Sequence, residues 1–164
     1  MLTKQKINKI NNYSFLKTSI FLILYLCLLV VGGQAQTAPE QTDIPAMHDY
    51  KGIQIGMTAD EVHEKLGKPK IEDKDGLFYV FSNDESAQIV FDGDKKVDII
   101  SVTYTGDYKN PPSFEDVFGK DVKPDVKPSG AVYKRIGYSK AGYWVAYSRL
   151  AGDKPTVSIT LNKF

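Results

Sequence analysis

Met57-Thr58-Ala59-Asp60-Glu61-Val62-His63-Glu64-Lys65-Leu66-Gly67-Lys68-Pro69 reads as one short helix with both ends specified. The Thr58 hydroxyl is placed to accept from the orphan amides of the first turn. Glu61, three residues on, can reach back to the Thr58 amide and complete a capping box, and Met57 and Val62 hold the positions of a hydrophobic staple. Ala59, Val62 and Leu66 fall on one helical face. Gly67 suits the left-handed position past the end, and Pro69 forbids continuation. So short a helix is not stable alone in water, so its apolar stripe must dock on something.

The chain that follows supplies a sheet. After a charged turn at Glu72-Asp73-Lys74-Asp75-Gly76, the segments Leu77–Phe81, Ala87–Phe91 and Val97–Thr105 are β-rich. A turn cluster at Ser82–Ser86 and a hairpin signal at Asp92-Gly93-Asp94-Lys95 separate them. Ahead of the helix, Tyr50-Lys51-Gly52-Ile53-Gln54-Ile55-Gly56 is a short lead-in.

The pattern then recurs. Pro112-Ser113-Phe114-Glu115-Asp116-Val117-Phe118-Gly119 repeats the capped helix, with Ser113 as N-cap, Asp116 in the place of Glu61 and Gly119 in the place of Gly67. Thr58 to Ser113 is 55 residues, Gly67 to Gly119 is 52 and Gly76 to Gly130 is 54. An almost constant offset is the signature of an internal repeat. It aligns Gly76-Leu77-Phe78-Tyr79 with Gly130-Ala131-Val132-Tyr133. After an extended Pro-rich loop from Lys123 to Pro128, β-rich segments follow at Tyr133–Tyr138, Tyr143–Leu150 and Thr156–Leu161, with turns at Ser139–Gly142 and Gly152–Pro155. The expected fold is therefore α+β: two tandem units, residues 50–108 and 109–164, each a short helix packed on a three- or four-stranded antiparallel sheet.

What precedes residue 50 reads as an address. Residues 1–19 carry Lys4, Lys6, Lys9 and Lys17 and no acid, Ile20–Val31 is an unbroken apolar run of twelve, and Gly32-Gly33-Gln34-Ala35 are suited to a signal-peptidase site. That order marks a secretory signal over residues 1–35, with cleavage after Ala35 and a soluble periplasmic or extracellular product. The run is shorter than the roughly 20 residues that span a bilayer, so retention as an N-terminal membrane anchor is the minor alternative. Cys27 lies inside the run, behind bulky Tyr25 and Leu26 rather than the small residues of a lipobox. It leaves with the signal, so the mature chain has no thiol chemistry. Residues 36–49 are polar and Pro-containing, a flexible tether. Of 21 bases and 20 acids, the signal removes four lysines and no acid, leaving 17 against 20, a net charge of −3. A mildly acidic product excludes the basic footprint of a nucleic-acid binder.

The pattern of Gly52 and Gly56, Met57-Thr58, Glu61-Val62, Leu66-Gly67-Lys68-Pro69, Tyr79 and Phe91-Asp92 resembles the SmpA/OmlA superfamily. That superfamily includes the outer-membrane assembly lipoprotein BamE and the β-lactamase-inhibitor-protein fold. The doubled form is similar to secreted proteins that carry two such units, and the resemblance covers about residues 50–164. It implies helix-on-antiparallel-sheet units and a non-catalytic, protein-binding habit. Two departures stand out: the lipobox is absent, and the second unit reads Phe118-Gly119-Lys120-Asp121 where the first has Leu-Gly-Lys-Pro. The motif residues are caps and turns, so they identify a fold rather than an active site.

Catalytic and metal chemistry find little support in the residues. His63, at the edge of the helix stripe, could serve a small hydrolase as general base, but the reading preferred here is a half-buried packing histidine. With His48 in the tether and no cysteine, zinc has few ligands. Asp73-x-Asp75-Gly76 and Asp92-Gly93-Asp94 lack the ligand series of a calcium loop and read as turns. No nucleophile elbow, phosphate loop or His-Glu-x-x-His pattern occurs. Neither a cofactor nor a metal is expected, and the chain reads as a non-enzyme.

Tyr133, Tyr138, Tyr143, Trp144 and Tyr147, with Arg135 and Arg149, form the remaining constellation, of which Tyr138, Tyr143, Tyr147, Arg135 and Arg149 are the expected binding residues. Strand alternation puts Tyr143, Val145, Tyr147 and Arg149 on one face, and Trp144, Ala146, Ser148 and Leu150 on the other. An arginine ending an aromatic row is costly in a small core, so the tyrosine row is expected on the side away from the helix, with Trp144 and Leu150 beneath it. Tyr, Trp and Arg are enriched at interfaces. The expected function is an exported module that binds an envelope or extracellular protein through this aromatic sheet surface. The alternatives are a small-ligand or peptide binder at the junction of the two units, or the His63 hydrolase.

Overall fold

Both capped helices form in the computed structural model, which describes residues 44–106, 108 and 111–164. The signal expected at residues 1–35 and the first part of the tether expected at 36–49 lie outside the described residues. Helix α1 spans Ala59–Leu66. The Thr58 amide donates to Glu61 Oε2 at 2.7 Å, and the Glu61 amide donates to Thr58 Oγ1 at 3.4 Å. Helix α2 spans Phe114–Phe118 and repeats the arrangement, with the Ser113 amide on Asp116 Oδ2 at 2.7 Å and the Asp116 amide on Ser113 Oγ at 3.1 Å. Gly67 and Gly119 end the two helices at φ 72 and 86, where a side chain would be strained. Val62 of α1 and Val117 of α2 are completely buried, as short amphipathic helices require.

In the described residues, seven strands follow from the alternating segments: β1 (Ile71–Glu72), β2 (Gly76–Val80), β3 (Glu85–Phe91), β4 (Val97–Thr105), β5 (Val132–Tyr138), β6 (Tyr143–Leu150) and β7 (Thr156–Lys163). All pair antiparallel in one sheet with the order β1-β2-β3-β4-β7-β6-β5. Among the described residues the architecture is α+β, with two short helices and a single sheet. β4 and β7 meet along a seam from Ile99↔Asn162 to Thr105↔Thr156, where Ser101 Oγ and Thr160 Oγ1 lie 3.3 Å apart. The reason for one sheet is the cost of edges. Two separate sheets would each expose a long, unpaired, β-branched strand, and joining β4 to β7 removes both.

Buried residues from every strand except β1 join α1, α2 and the lead-in in one core. Its central row runs Leu77–Ile89–Ile100–Leu161–Val145–Ile136 across β2, β3, β4, β7, β6 and β5. The Tyr79 hydroxyl donates to the Gly67 carbonyl at 3.2 Å and pins the end of α1 to β2. The chain is already packed before residue 50: Pro45 is buried and the Met47 amide donates to the Val117 carbonyl at 3.2 Å. That contact lies within the segment expected to be a tether. The expected alignment of Tyr79 with Tyr133 is corrected. Tyr79 is buried while Tyr133 is exposed on the opposite face, because Gly76 lies inside β2 whereas Gly130 sits in the turn before β5 at φ 78.

Candidate functional site

The two faces of β6 are the reverse of the sequence expectation. Tyr143 and Tyr147 are only 7% and 3% exposed, and Tyr138 on β5 joins them in the core. The Tyr147 ring meets Phe114 of α2 edge to face at 5.5 Å between centroids. Burial pushes the Tyr143 and Tyr147 phenols above their ordinary pKa. These three tyrosines are therefore withdrawn as surface residues. The physical reason is the brevity of α2, which brings only Val117 and Phe118 fully inside, so large rings from the sheet must fill the space beneath it. Arg149 does end the tyrosine row, flanked in the register by buried Val132 and Val157, but its long stem lets the guanidinium reach solvent. Its side chain is exposed there without drawing the row out with it. Trp144 is half-buried and Leu150 is 55% exposed, so neither belongs to the core under α2.

Arg135 is the expected residue that does lie on the side away from the helices. There it is joined by residues that strand alternation alone did not single out. The cross-strand partners define rows: Gly76–Val90–Ile99–Asn162–Trp144–Gly137, then Phe78–Gln88–Ser101–Thr160–Ala146–Arg135, then Val80–Ser86–Thr103–Ser158–Ser148–Tyr133. The third row carries a hydroxyl on five consecutive strands, Ser86, Thr103, Ser158, Ser148 and Tyr133. Arg135 is the single charged side chain in the three rows. Its guanidinium lies 4.3 Å from the centre of the Trp144 ring. The Phe164 ring passes 3.3 Å from where a Gly137 Cβ would stand, so this corner is aromatic because Gly137 leaves room for it. Val80, Tyr133 and Leu150 are large, apolar and exposed on this face, and Ile71 extends it along β1. Phe164 could be found only once the register of β5 was known, and the register also settles that Tyr133, unlike the other tyrosines of the constellation, is exposed on this face.

The polar candidates resolve into local chemistry. His63 Nε2 lies 3.3 Å from Glu72 Oε1, and both side chains are solvent-accessible. Asp73 Oδ1 accepts from the Asp75 and Gly76 amides at 2.9 Å each. Asp92 Oδ1 accepts from the Asp94 and Lys96 amides at 3.0 Å, and its Oδ2 takes the Lys163 ammonium at 3.0 Å. These are turn and ion-pair arrangements. Among the described residues, no group of three or more His, Cys, Asp and Glu is placed to hold a metal ion, and no helix is long and apolar enough to cross a membrane.

No protein-family model matches the sequence, and neither a curated protein nor a solved structure matches it.

Proposed function

We propose that this chain is an exported, non-catalytic interaction module that binds an envelope or extracellular protein through the face of the sheet opposite the helices. The observation that carries this reading is the composition of that face. Its three rows are a broad array of hydroxyls and amides, bordered by Trp144, Tyr133, Phe78 and Val80, with Arg135 as the single charged side chain in them. Depletion of charge at the centre, with aromatic and arginine side chains present, is the compositional mark of a protein interface. Both helices are committed to the other face, which leaves this one for a partner.

The test uses the mature chain as bait in envelope extract, in three forms. A specific partner should be retained by the wild type and by a helix-side surface variant such as Glu64→Gln. It should be lost with Trp144→Ala combined with Ser158→Arg. Equal retention by all three forms would sink the reading. Export is supported by the order of basic, apolar and small residues over 1–35, and N-terminal sequencing of the exported product should find Gln36 first.

The finer architecture belongs to the same proposal: residues 50–108 and 109–164 are two like units. Support comes from the two capping boxes, each followed by an antiparallel meander, and from a strand order that mirrors about the β4–β7 seam. Experimental coordinates in which residues 52–105 and 109–162 do not superpose, helix on helix and β2–β4 on β5–β7, would overturn it.

A further inference from the structure

On the helix side of the sheet, away from Trp144 and Arg135, four side chains meet beside the lead-in. Tyr50 and Ile53 exchange both backbone hydrogen bonds at 2.9 Å across the two-residue turn Lys51-Gly52. Lys51 and Gly52 both take positive φ, 51 and 80. Such a hairpin turn favours Asn-Gly, because asparagine tolerates the left-handed region and lysine does so poorly. A lysine held in this conformation calls for a local reason.

The reason is visible at the far end of its side chain. Lys51 Nζ lies 3.3 Å from Glu85 Oε1, 4.7 Å from the centre of the Phe81 ring and 5.5 Å from that of Tyr50. The Tyr50 hydroxyl donates to the same Glu85 oxygen at 2.7 Å. Tyr50 and Phe81 stand edge to face at 5.9 Å, and Tyr79 stacks behind Phe81 at 5.8 Å. Two rings set at a steep angle and a carboxylate are the walls with which proteins hold alkylammonium ions. Tyr50 and Tyr79 are core residues, so the walls are fixed. The Lys51 side chain is 41% exposed on a flexible stem, so it is the part that can leave, and Glu85 at 23% remains accessible behind it.

We propose that the Tyr50–Phe81–Glu85 corner is an alkylammonium-binding site whose resting occupant is Lys51, displaced when a partner's lysine side chain or a free amine enters. Lys51 is then an autoinhibitory contact. A ligand must compete with it, and the apparent affinity is reduced by the fraction of time the corner stands open. The site is independent of the interaction face described above.

Lys51→Asn tests this directly, since asparagine suits the turn and takes away the ammonium. Wild type and variant are titrated at constant ionic strength with tetramethylammonium chloride and, separately, with N-acetyl-lysine methylamide, following the ring signals of Tyr50 and Phe81 by NMR. The variant should show saturable shifts with an affinity about tenfold or more tighter than wild type, as expected if Lys51 fills the corner about nine-tenths of the time. Adding Glu85→Gln should abolish the gain. Tighter binding of the lysine compound points to a protein side chain, and tighter binding of the quaternary ion to a small amine. Lys51→Gly, also permitted at this φ, repeats the measurement if the asparagine variant is not folded. Ring signals that stay still, or that drift without saturation as in wild type, overturn the proposal.

Discussion

Arg135 and Trp144 sit diagonally across β5 and β6, with the guanidinium 4.3 Å from the centre of the indole ring. The pair is open to solvent, where such a contact contributes about 0.5–1 kcal/mol. Arg135→Ala should therefore lower stability by about that much in urea unfolding. Trp144 is the chain's one tryptophan, so its emission reports on this corner alone. The same substitution should change the emission spectrum and increase acrylamide quenching. An unchanged spectrum would mean that the stacking does not persist in solution.

Tyr147→Ala should be severely destabilising. The ring is buried against Phe114, and loss of a large core aromatic costs about 3–5 kcal/mol through lost burial and the cavity left behind. Leu150→Ala, on the exposed side, should fall within about 0.5 kcal/mol of wild type, as surface changes do. Chemical denaturation of the two variants separates this assignment of faces from its reverse.

The caps make the helices sensitive to acid. Hydrogen bonds from the Thr58 amide and hydroxyl hold Glu61 below its ordinary pKa, and those from Ser113 do the same for Asp116. A carboxylate with a lowered folded pKa contributes stability that is present above its unfolded value and is lost as pH falls through the folded one. Stability should decline below about pH 4 for this reason, and the decline should be shallower in Glu61→Gln/Asp116→Asn. Thr58→Ala should cost about 1 kcal/mol at neutral pH, and Ser113→Ala a similar amount. Urea midpoints measured from pH 7 down to pH 3 give the comparison.

Alkali should act through phenols. Burial, then the nearby Glu85 carboxylate, pushes Tyr104 up to about 12, and burial with the hydrogen bond to Glu85 raises Tyr50 as well. A raised folded pKa means stability that is complete below the unfolded value and is lost as pH rises through the folded one. Unfolding stability should therefore fall between about pH 10 and 12, the interval from an ordinary phenol to Tyr104. Tyrosinate absorbance should rise late, together with unfolding. Tyr104→Phe should weaken that dependence. Two tyrosines that titrate normally in the folded protein would contradict it.

Much of the local architecture was legible from the residues. Thr58 with Glu61 and Ser113 with Asp116 specify both helix starts, because a cap is a local arrangement of three or four residues. The strand at Val97–Thr105 and the one at Tyr143–Leu150 have the expected bounds, since alternation repeats within each strand. What could not be read was long-range. Nothing in the alternation of β4 or β7 says that the two pair with each other. Nor does alternation say which of its two faces looks inward. The charge of Arg149 pointed the wrong way there, because a long side chain at the end of a row reaches water beside buried neighbours without moving the row. Trp144 consequently exchanged places with Tyr147, and the candidate interaction surface, still on the side away from the helices, carries Trp144 rather than the tyrosine row.

The seam between β4 and β7 has a consequence for how the chain reaches its final shape. Its partners are 51 to 63 residues apart in sequence, from Thr105↔Thr156 to Ile99↔Asn162. The hairpins of β2–β4 and of β5–β7 close over only a few residues. Closing a long loop costs more entropy and comes later than closing a short one. Folding should thus proceed as two quick local meanders followed by a slower zipping of the seam. Until that last step, β4 and β7 are both bare edges able to accept the wrong strand, including the matching strand of a neighbouring molecule.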